Sequence, residues 1–272
     1  MDQRVMKLAT LLSLPNRPAQ FRTPFCLGYI NDHTNEQSRY GFLYRKPSTT
    51  APDTKPTSLL DLIKKRGSRP SLTKRIALAH AIAQSLMYLH SVNWLHKGIC
   101  SDKIAFFIQP DEQPSYSEPI ICGFDYARLD QPDEMTEPRP RQSSYDVYRH
   151  PAILTRANTR STKSHDIYSL GVVLVEIAMW QRIGDIVGMP QDEKAAIRML
   201  PRVGVMLTKD GYMDAVEGHA GEVYRSATQK CLTGLVDLGI YGDVDDSTPD
   251  LAVEMQRVFS EDVVDVLGEI KL

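Results

Sequence analysis

The spacing of apolar residues predicts one amphipathic helix and one fully buried helix. From Ser71 to His90, apolar or small side chains recur at steps of three and four residues, and Ser71 is suited to be the N-cap. Residues 165–180, HDIYSLGVVLVEIAMW, are apolar on every side of a helix. Such a helix has to be buried in a large core. Shorter helices are predicted at residues 4–14 and 58–66.

Segments that favour β-structure come early in the chain. Residues 21–33 and 38–46 are rich in aromatic and β-favouring side chains and are separated by a polar turn, which predicts a β-hairpin. The Pro- and Thr-rich connector at residues 47–58 is not expected to form regular structure. A second hairpin is predicted from a strand at residues 103–108 and another at residues 119–129.

The order of the predicted elements indicates the fold class. A polar segment rich in Pro, Arg and Ser, from Asp130 to Ser164, predicts a long loop, and the chain after residue 180 is mostly helical. Strands therefore come early and helices late, which predicts an α+β protein with a large helical part.

Charge and cysteine usage exclude some classes of protein. A formal net charge of −2 predicts no bulk attraction to nucleic acid or to an anionic membrane. The most apolar run, residues 170–180, contains Glu176 and is too short to span a bilayer, and the amino terminus lacks the apolar core of a signal peptide. Four scattered cysteines without a CxxC pair favour a reduced, cytoplasmic chain. They are Cys26, Cys100, Cys122 and Cys231.

Four short motifs occur in the order in which protein kinases carry theirs. WLHKGICSDKIAFF, at residues 94–107, resembles the kinase catalytic loop, H-R-D-L-x-x-x-N, and GFD, at residues 123–125, resembles D-F-G. YRHPAI, at residues 148–153, is similar to the region of A-P-E. DIYSLGVVLVEI, at residues 166–177, is similar to kinase helix F. The chain therefore resembles a protein kinase that lacks the start of its small lobe.

The resemblance implies an arrangement in two lobes. Residues 1–48 would be a partial small lobe, made of helix C and two short antiparallel strands. Residues 49–272 would be the mainly helical large lobe, in which the helix from Ser71 to His90 is helix E.

The resemblance also implies that the catalytic chemistry is missing. Phosphoryl transfer needs a catalytic Asp, an Asn and a second Asp that hold magnesium, a Gly-rich loop, and a Lys on the phosphates. The catalytic Asp position is Gly98, the Asn position is Lys103, and the magnesium Asp position is Gly123. Neither G-x-G-x-x-G nor a V-A-I-K lysine precedes them. We therefore expect a pseudokinase, not an enzyme, with no cofactor, no metal and no firm nucleotide ligand.

The same resemblance implies structural roles for the remaining motif residues. His96 would pack beside Phe124 in the core, although alone it could be taken for a general base. Asp166 would accept backbone N–H groups from the turn at His96. Lys97 replaces an Arg that pairs with a phosphorylated activation loop in many kinases, and it lacks the bidentate fork of Arg. Asp125 would point away from a metal if its segment stays extended.

A closer resemblance is to the kinase-like domains of fungal proteins of the prion-inhibition and heterokaryon-incompatibility type. The chain departs from their catalytic-loop pattern at Cys100 and Lys103, where they have Arg and Asn. The resemblance implies a regulatory or scaffolding module in fungal self/non-self recognition or cell-death signalling. Its partner would be another protein or an adjacent effector domain, contacted through residues 130–150 or the exposed face of the first helix. The alternatives are an unconventional ATP-dependent protein kinase and a nucleotide or small-molecule sensor that uses the interlobe cleft.

Further site hypotheses compete with plain structural interpretations. Cys100 could be a reactive thiol beside Lys103, and Asp102 could be either catalytic or a solvated loop acid. Regulatory phosphorylation is possible in the polar loop, at Thr136, Ser143, Ser144 and Tyr145. Residues 243–254 approach calcium-loop spacing, with oxygen-bearing side chains at Asp243, Asp245, Ser247 and Glu254. Thr248 as an N-cap with Pro249 at the first position of a last helix explains the same residues.

Overall fold

A computed structural model gives an α+β architecture, with helices predominating and three small antiparallel sheets in the described part of the chain. The α+β fold class expected from the sequence is therefore confirmed. The structure describes residues 2–32, 39–48, 50–51, 53–65, 67, 69–109, 112–130, 141–156, 159–209, 211–234 and 249–271.

The amino-terminal part consists of one helix and one hairpin. Helix α1 spans Asp2–Ser13, and strands β1, Phe25–Asp32, and β2, Arg39–Arg45, pair antiparallel with a bulge between Cys26 and Gly28. The predicted first helix and the predicted hairpin are both confirmed. The apolar face of α1 packs into the core, where Leu12 is fully buried.

Five further strands form the other two sheets. Strands β3, Pro56–Ser58, β5, Ile104–Phe107, and β6, Ile120–Ile121, form a sheet in the order β3-β5-β6. Strand β4, Trp94–Leu95, pairs with β7, Arg128–Leu129. The pairing of β5 with β6 confirms the second predicted hairpin.

Two strand predictions need correction. The connector at residues 47–58 does become regular at its end, because β3 pairs with β5 and so gains backbone partners. Residues 119–129 are not one strand, because Gly123 adopts a left-handed backbone with φ of 81° and a 3₁₀ turn follows at Phe124–Tyr126. The chain therefore leaves one sheet after β6 and enters the other at β7.

The central helices begin at capped residues. Helix α2, Leu59–Lys64, has a capping box in which Ser58 Oγ accepts the N–H of Asp61 at 3.1 Å. Helix α3 spans Leu72–Ser91, and Ser71 Oγ accepts the N–H of its third residue at 3.4 Å, which confirms the predicted N-cap. Helix α6, Lys163–Met179, is buried along nearly its whole length, as its uniform apolarity predicts.

The polar segment from Asp130 to Ser164 is not a continuous loop. It contains α4, Ser143–Asp146, and α5, Pro151–Thr155, while residues 131–140 lie outside the described ranges. Helix α5 starts with Pro at its first position and is capped by His150 Nδ1, which accepts the N–H of Ala152 at 3.2 Å. The polar composition of this segment did not predict either helix, because their few apolar contacts are with distant parts of the chain.

The carboxy-terminal part is helical, as predicted, and it surrounds α6 and α3. Helix α11 packs on α6, and the segment that ends the chain packs on α3. Its elements are α7, Ile183–Ile186; α8, Glu193–Met199; α9, Val203–Lys209; α10, Tyr212–Ala220; α11, Glu222–Thr233; α12, Pro249–Phe259; a π-helical segment, Ser260–Asp265; and α13, Val266–Glu269.

A cluster of buried apolar side chains runs from Leu8 in α1 to Leu267 in α13 and crosses the sequence-based division at residue 48. Among the described helices, none has both the length and the apolar character that crossing a bilayer requires.

Candidate functional site

Asp166, at the start of α6, holds the turn that follows β4. Its Oδ2 accepts the backbone N–H of His96 at 2.7 Å, and its Oδ1 accepts that of Lys97 at 2.7 Å. His90 Nε2 lies 3.3 Å from Oδ2. Lys97 has φ of 63°, a left-handed conformation that a residue with a side chain adopts at a cost. The buried carboxylate therefore stabilises a strained turn.

The environment of Asp166 keeps this carboxyl charged. Burial alone would raise its pKa, but the hydrogen bond from His90 and the His96 backbone N–H hold the pKa below its ordinary value. Its hydrogen-bond donors are groups of the protein itself. This geometry gives Asp166 a positioning role rather than one in proton transfer.

His96 uses both ring nitrogens inside the fold. Its Nδ1 accepts the backbone N–H of Gly98 at 3.2 Å, so Nδ1 carries no proton in this arrangement. Its Nε2 lies 2.9 Å from the carbonyl oxygen of Cys122, which can only accept, so Nε2 is the donor. The ring is fully buried, with its centroid 4.8 Å from that of Phe124. His96 is therefore not available as a general base.

Lys103 lies directly against Gly123. A Cβ atom placed on Gly123 would be 2.5 Å from Lys103 Cδ and 2.7 Å from its Cγ, distances that real side chains do not tolerate. Gly123 also has φ of 81°, where residues with a side chain are strained. The stem of Lys103 therefore fills the space that any side chain at position 123 would need.

The ammonium end of Lys103 faces an aromatic ring from α4. Lys103 Nζ lies 5.9 Å from the ring centroid of Tyr145, which is within the range of a cation–π contact. The Tyr145 hydroxyl donates to Asp102 Oδ2 at 3.1 Å. Lys103 and Tyr145 therefore lie in contact, and Asp102 accepts a hydrogen bond from the hydroxyl of the same tyrosine.

Gly98 differs from Gly123 because it has room around it. The nearest atoms to a Cβ at Gly98 would be 3.7 Å away, which is ordinary van der Waals contact. Both glycines line a pocket of about 270 Å³, together with Lys103 and Asp125. The extended backbone that was expected around Asp125 is not found, because Asp125 lies in the 3₁₀ turn. The expectation that its side chain points away from a metal depended on that extended backbone.

This pocket offers little for metal-assisted chemistry. Its glycines supply no side-chain ligands, and Lys103 brings a positive charge that repels a cation. Within the described ranges, no three His, Cys, Asp or Glu side chains converge as metal ligands. Cys100 is buried, and burial raises the pKa of its thiol to about 12, so a nucleophilic thiolate does not form at neutral pH.

A larger cleft of about 1020 Å³ opens between the β1–β2 hairpin and the β3-β5-β6 sheet. It shares Lys103 and Gly123 with the smaller pocket. Basic side chains outnumber acidic ones on its walls, and Asp61 is already engaged in the capping box of α2. The basic residues are Arg17, Arg45, Lys46, Lys55 and Lys103, and the acidic ones are Asp53, Asp61 and Asp102. The cleft therefore favours an anion over a cation.

A buried polar chain beneath the small pocket was missed by the sequence analysis. Ser101 Oγ lies 2.9 Å from the Tyr148 hydroxyl, which donates to Glu176 Oε1 at 2.8 Å. The same oxygen accepts the N–H of Ile183 at 2.8 Å. Burial raises the pKa of Glu176 to about 7. The only sign of this buried chain in the sequence was Glu176, an acidic residue in an otherwise apolar helix. We took that residue only as an indication against a membrane span.

Glu176→Gln is expected to change how stability depends on pH. The carboxyl of Glu176 has a higher pKa in the folded state than in the unfolded state, so wild type loses stability as pH rises from about 4.5 to about 7. Glutamine keeps the acceptor for Tyr148 and Ile183 without the charge. The variant should therefore be more stable than wild type by about 3 kcal/mol at pH 8, with the gap closing near pH 4.5, as measured by urea unfolding.

The matched control for Glu176 is Glu222→Gln on the exposed side of α11, a surface substitution that should change the free energy of unfolding by less than about 0.5 kcal/mol. His150 and His165 also titrate, since burial lowers the pKa of the first to about 4 and of the second to about 3. Both are present in wild type and variant alike, so their contribution cancels in the difference. A gap that did not widen with pH would contradict the charge assignment at Glu176.

The remaining candidates from the sequence are the phosphorylation sites and the calcium-loop residues. Ser143 is buried, and its hydroxyl donates to Glu193 Oε2 at 2.6 Å, so it is not open to a modifying enzyme, whereas Tyr145 is 41% exposed. Thr136, Asp243, Asp245, Ser247 and Thr248 lie outside the described residues. Helix α12 begins at Pro249, and Glu254 in it pairs with Arg257 at 2.7 Å.

The fold and site define a helix-rich α+β protein in which a buried Asp166 supports a polar turn and Lys103 fills the space beside Gly123. The chain belongs to the family described as a domain of unknown function, DUF7580, whose model matches residues 29–264. No curated protein matches the chain.

Proposed function

We propose that the chain is a catalytically inactive protein kinase-like domain that works as a regulatory or scaffolding module. The observation that carries this proposal is the packing of Lys103 against Gly123. On the kinase-like interpretation these two positions are the metal ligands of the active enzymes. One is occupied by an ammonium, and the other has no room for a side chain while Lys103 stays in place. Phosphoryl transfer depends on metal ions held at such positions.

The position of the catalytic Asp supports the same proposal in a different way. Gly98 has space for a side chain and carries none. His96 beside it is committed to Gly98 and to the Cys122 carbonyl. The turn therefore keeps its shape, through Asp166, without a group that could orient or deprotonate a substrate hydroxyl. A turn that keeps its shape but has no reactive group favours binding as the mode of action. The partner would be another protein or an adjacent effector domain, in fungal self/non-self recognition or cell-death signalling.

Magnesium–ATP is expected to leave the thermal stability of the chain unchanged. A ligand present at a hundred times its dissociation constant stabilises a protein by about 2.7 kcal/mol, which is an easily measured rise in Tm. The measurement is a thermal-shift titration with ATP and magnesium, with an active protein kinase as the positive control. A rise in Tm that requires both ATP and magnesium would contradict the proposal and favour the unconventional-kinase alternative.

A second candidate function is a sensor of an anionic small molecule in the larger cleft. The observation that favours it is the excess of basic side chains around about 1020 Å³ of space, with Tyr44 available as an aromatic wall. The same titration with ATP and EDTA tests it, because a cleft that uses Lys and Arg in place of a metal should respond equally with and without magnesium. A flat response in both arms leaves the inactive binding module as the function.

A further inference from the structure

Helices α6 and α10 end at the same place, beside the start of α3. The carbonyl groups of Ile177 and Ala178 belong to the last turn of α6, and that of His219 belongs to the last turn of α10. Carbonyls in a last helical turn have no N–H partner within their own helix. Each helix end also carries a partial negative charge, of about half an elementary charge. A cation is therefore favourable at this place.

Arg75, near the start of α3, supplies a cation from inside the fold. Its side chain is buried, with 5% of the residue exposed. Its Nη1 donates to the carbonyl oxygens of Ile177, at 3.4 Å, and Ala178, and its Nη2 donates to that of His219 at 3.3 Å. One guanidinium therefore binds the ends of both helices, which is sufficient as a structural role.

A second guanidinium and an imidazole reach the same place from outside. Arg69, which precedes α3, donates from Nη2 to the Ala178 carbonyl oxygen at 3.3 Å, the atom that Arg75 also contacts. The same Nη2 lies 3.1 Å from His219 Nδ1. Arg69 and His219 are both exposed. Two guanidiniums therefore share one oxygen, although the buried one alone would serve the helix ends.

The positive charge at this place has no acidic counterpart. Burial and the charge of Arg69 lower the pKa of Arg75, and burial and the charges of Arg69 and Arg75 lower the pKa of His219. Among the ion pairs between described residues, none includes these three side chains. Glu217, two residues before His219, pairs with Arg225 instead. Two guanidiniums against two helix ends leave an excess of roughly one positive charge.

The hydrogen-bond donors that remain belong to the two exposed side chains. Arg69 uses only Nη2 in its contacts with Ala178 and His219, which leaves the N–H groups of Nε and Nη1 for a further acceptor. Arginine has no acceptor atom, so His219 Nδ1 accepts and the neutral ring carries its proton on Nε2. Neither side chain lines the pocket at Gly123 or the larger cleft. Exposed N–H donors beside an excess of positive charge suit an oxyanion.

We propose that Arg69 and His219, supported by the buried Arg75, bind a phosphate group. A phosphate monoester has a charge of about −1.5 to −2 at neutral pH and three acceptor oxygens. It meets the excess positive charge and can accept hydrogen bonds from both exposed side chains, as phosphates do at arginine clusters. A free phosphate compound and a phosphorylated side chain present this same group. The inference goes beyond the proposed function, because the site lies away from the turn at His96.

The test is a titration of the full chain with sodium phosphate and with N-acetyl-phosphoserine amide, at an ionic strength held constant with sodium chloride. The readout is the NMR signal of the His219 ring, assigned by its loss in His219→Gln. We expect a saturable shift with a dissociation constant below about 10 mM for at least one of the two probes. Arg69→Gln should weaken binding at least tenfold. Arg198→Gln in α8, which removes another exposed arginine, should leave binding unchanged.

The two probes distinguish the sources of the phosphate group. Tighter binding of the phosphoserine amide would assign the site to a phosphorylated protein segment, and equal or weaker binding would assign it to a free phosphate compound. Sodium acetate is the control for the class of anion and should bind at least tenfold more weakly than phosphate. A shift that does not saturate, an equal response to acetate, or binding that Arg69→Gln leaves intact would overturn the proposal.

Discussion

Asp166→Ala is expected to lower the free energy of unfolding by about 4 kcal/mol, the usual cost of removing one partner from a buried charged network. The substitution leaves the N–H groups of His96 and Lys97 without their acceptor, and each unsatisfied buried donor costs about 1–3 kcal/mol. It also removes the partner of His90 and the support of the left-handed backbone at Lys97. Urea unfolding followed by circular dichroism measures the effect.

Asp185→Ala in α7 is the matched control for this prediction. Asp185 is exposed and paired with Arg182 at 2.6 Å, and exposed ion pairs contribute about 0–1 kcal/mol. Asp166→Asn should fall between the two, because the amide oxygen still accepts one N–H while its NH₂ group faces the other donor. Equal urea midpoints for wild type and Asp166→Ala would show that Asp166 does not stabilise the turn.

The elements that the sequence predicted well are those whose signals are local. Helix α3 has its N-cap and its apolar spacing within twenty residues, and α6 is apolar on every side. The β1–β2 hairpin has two aromatic segments separated by a short polar turn. In each case the residues that decide the structure lie next to one another in the chain, so pattern alone is sufficient.

The elements that the sequence missed depend on distant partners. Helix α4 begins where the N–H of Ser143 donates to Glu193, fifty residues later, at 2.7 Å. Strand β3 exists because β5 lies beside it. Both stretches are polar or rich in Pro and Thr, so their local signal favours a loop. Tertiary contacts outweigh that preference, as they commonly do for short elements.

The candidate site likewise contains some features that the sequence predicted and others that it missed. The roles of Asp166 and His96 were expected from a family resemblance and a motif. The contact between Lys103 and Gly123 was not expected, because it depends on a positive φ at Gly123 and on the path of a flexible side chain. The kinase resemblance led us to expect Lys103 and Gly123 at positions of metal ligands, whereas only the three-dimensional structure shows the stem of Lys103 filling the space beside Gly123.

Gly123→Ala is expected to destabilise the chain by about 3 kcal/mol, from two sources of roughly equal size. Placing a Cβ on a residue with φ of 81° costs about 1–2 kcal/mol, and overpacking against Lys103 costs a further 1–3 kcal/mol or so. Lys103 cannot avoid the new methyl by moving its tip alone, because the contact involves Cγ as well as Cδ. It has to change its first torsion and leave the ring of Tyr145.

A double-mutant cycle separates these two sources. In a Lys103→Ala background the clash with Cγ and Cδ is gone, so Gly123→Ala should cost about 1 kcal/mol less than it does in wild type. Gly98→Ala is the control, since its Cβ meets nothing closer than 3.7 Å and should change stability by less than about 0.5 kcal/mol. Additive effects in the cycle would mean that Lys103 does not fill the space beside Gly123. The position would then be open to a side chain, and the main support for an inactive metal site would be lost.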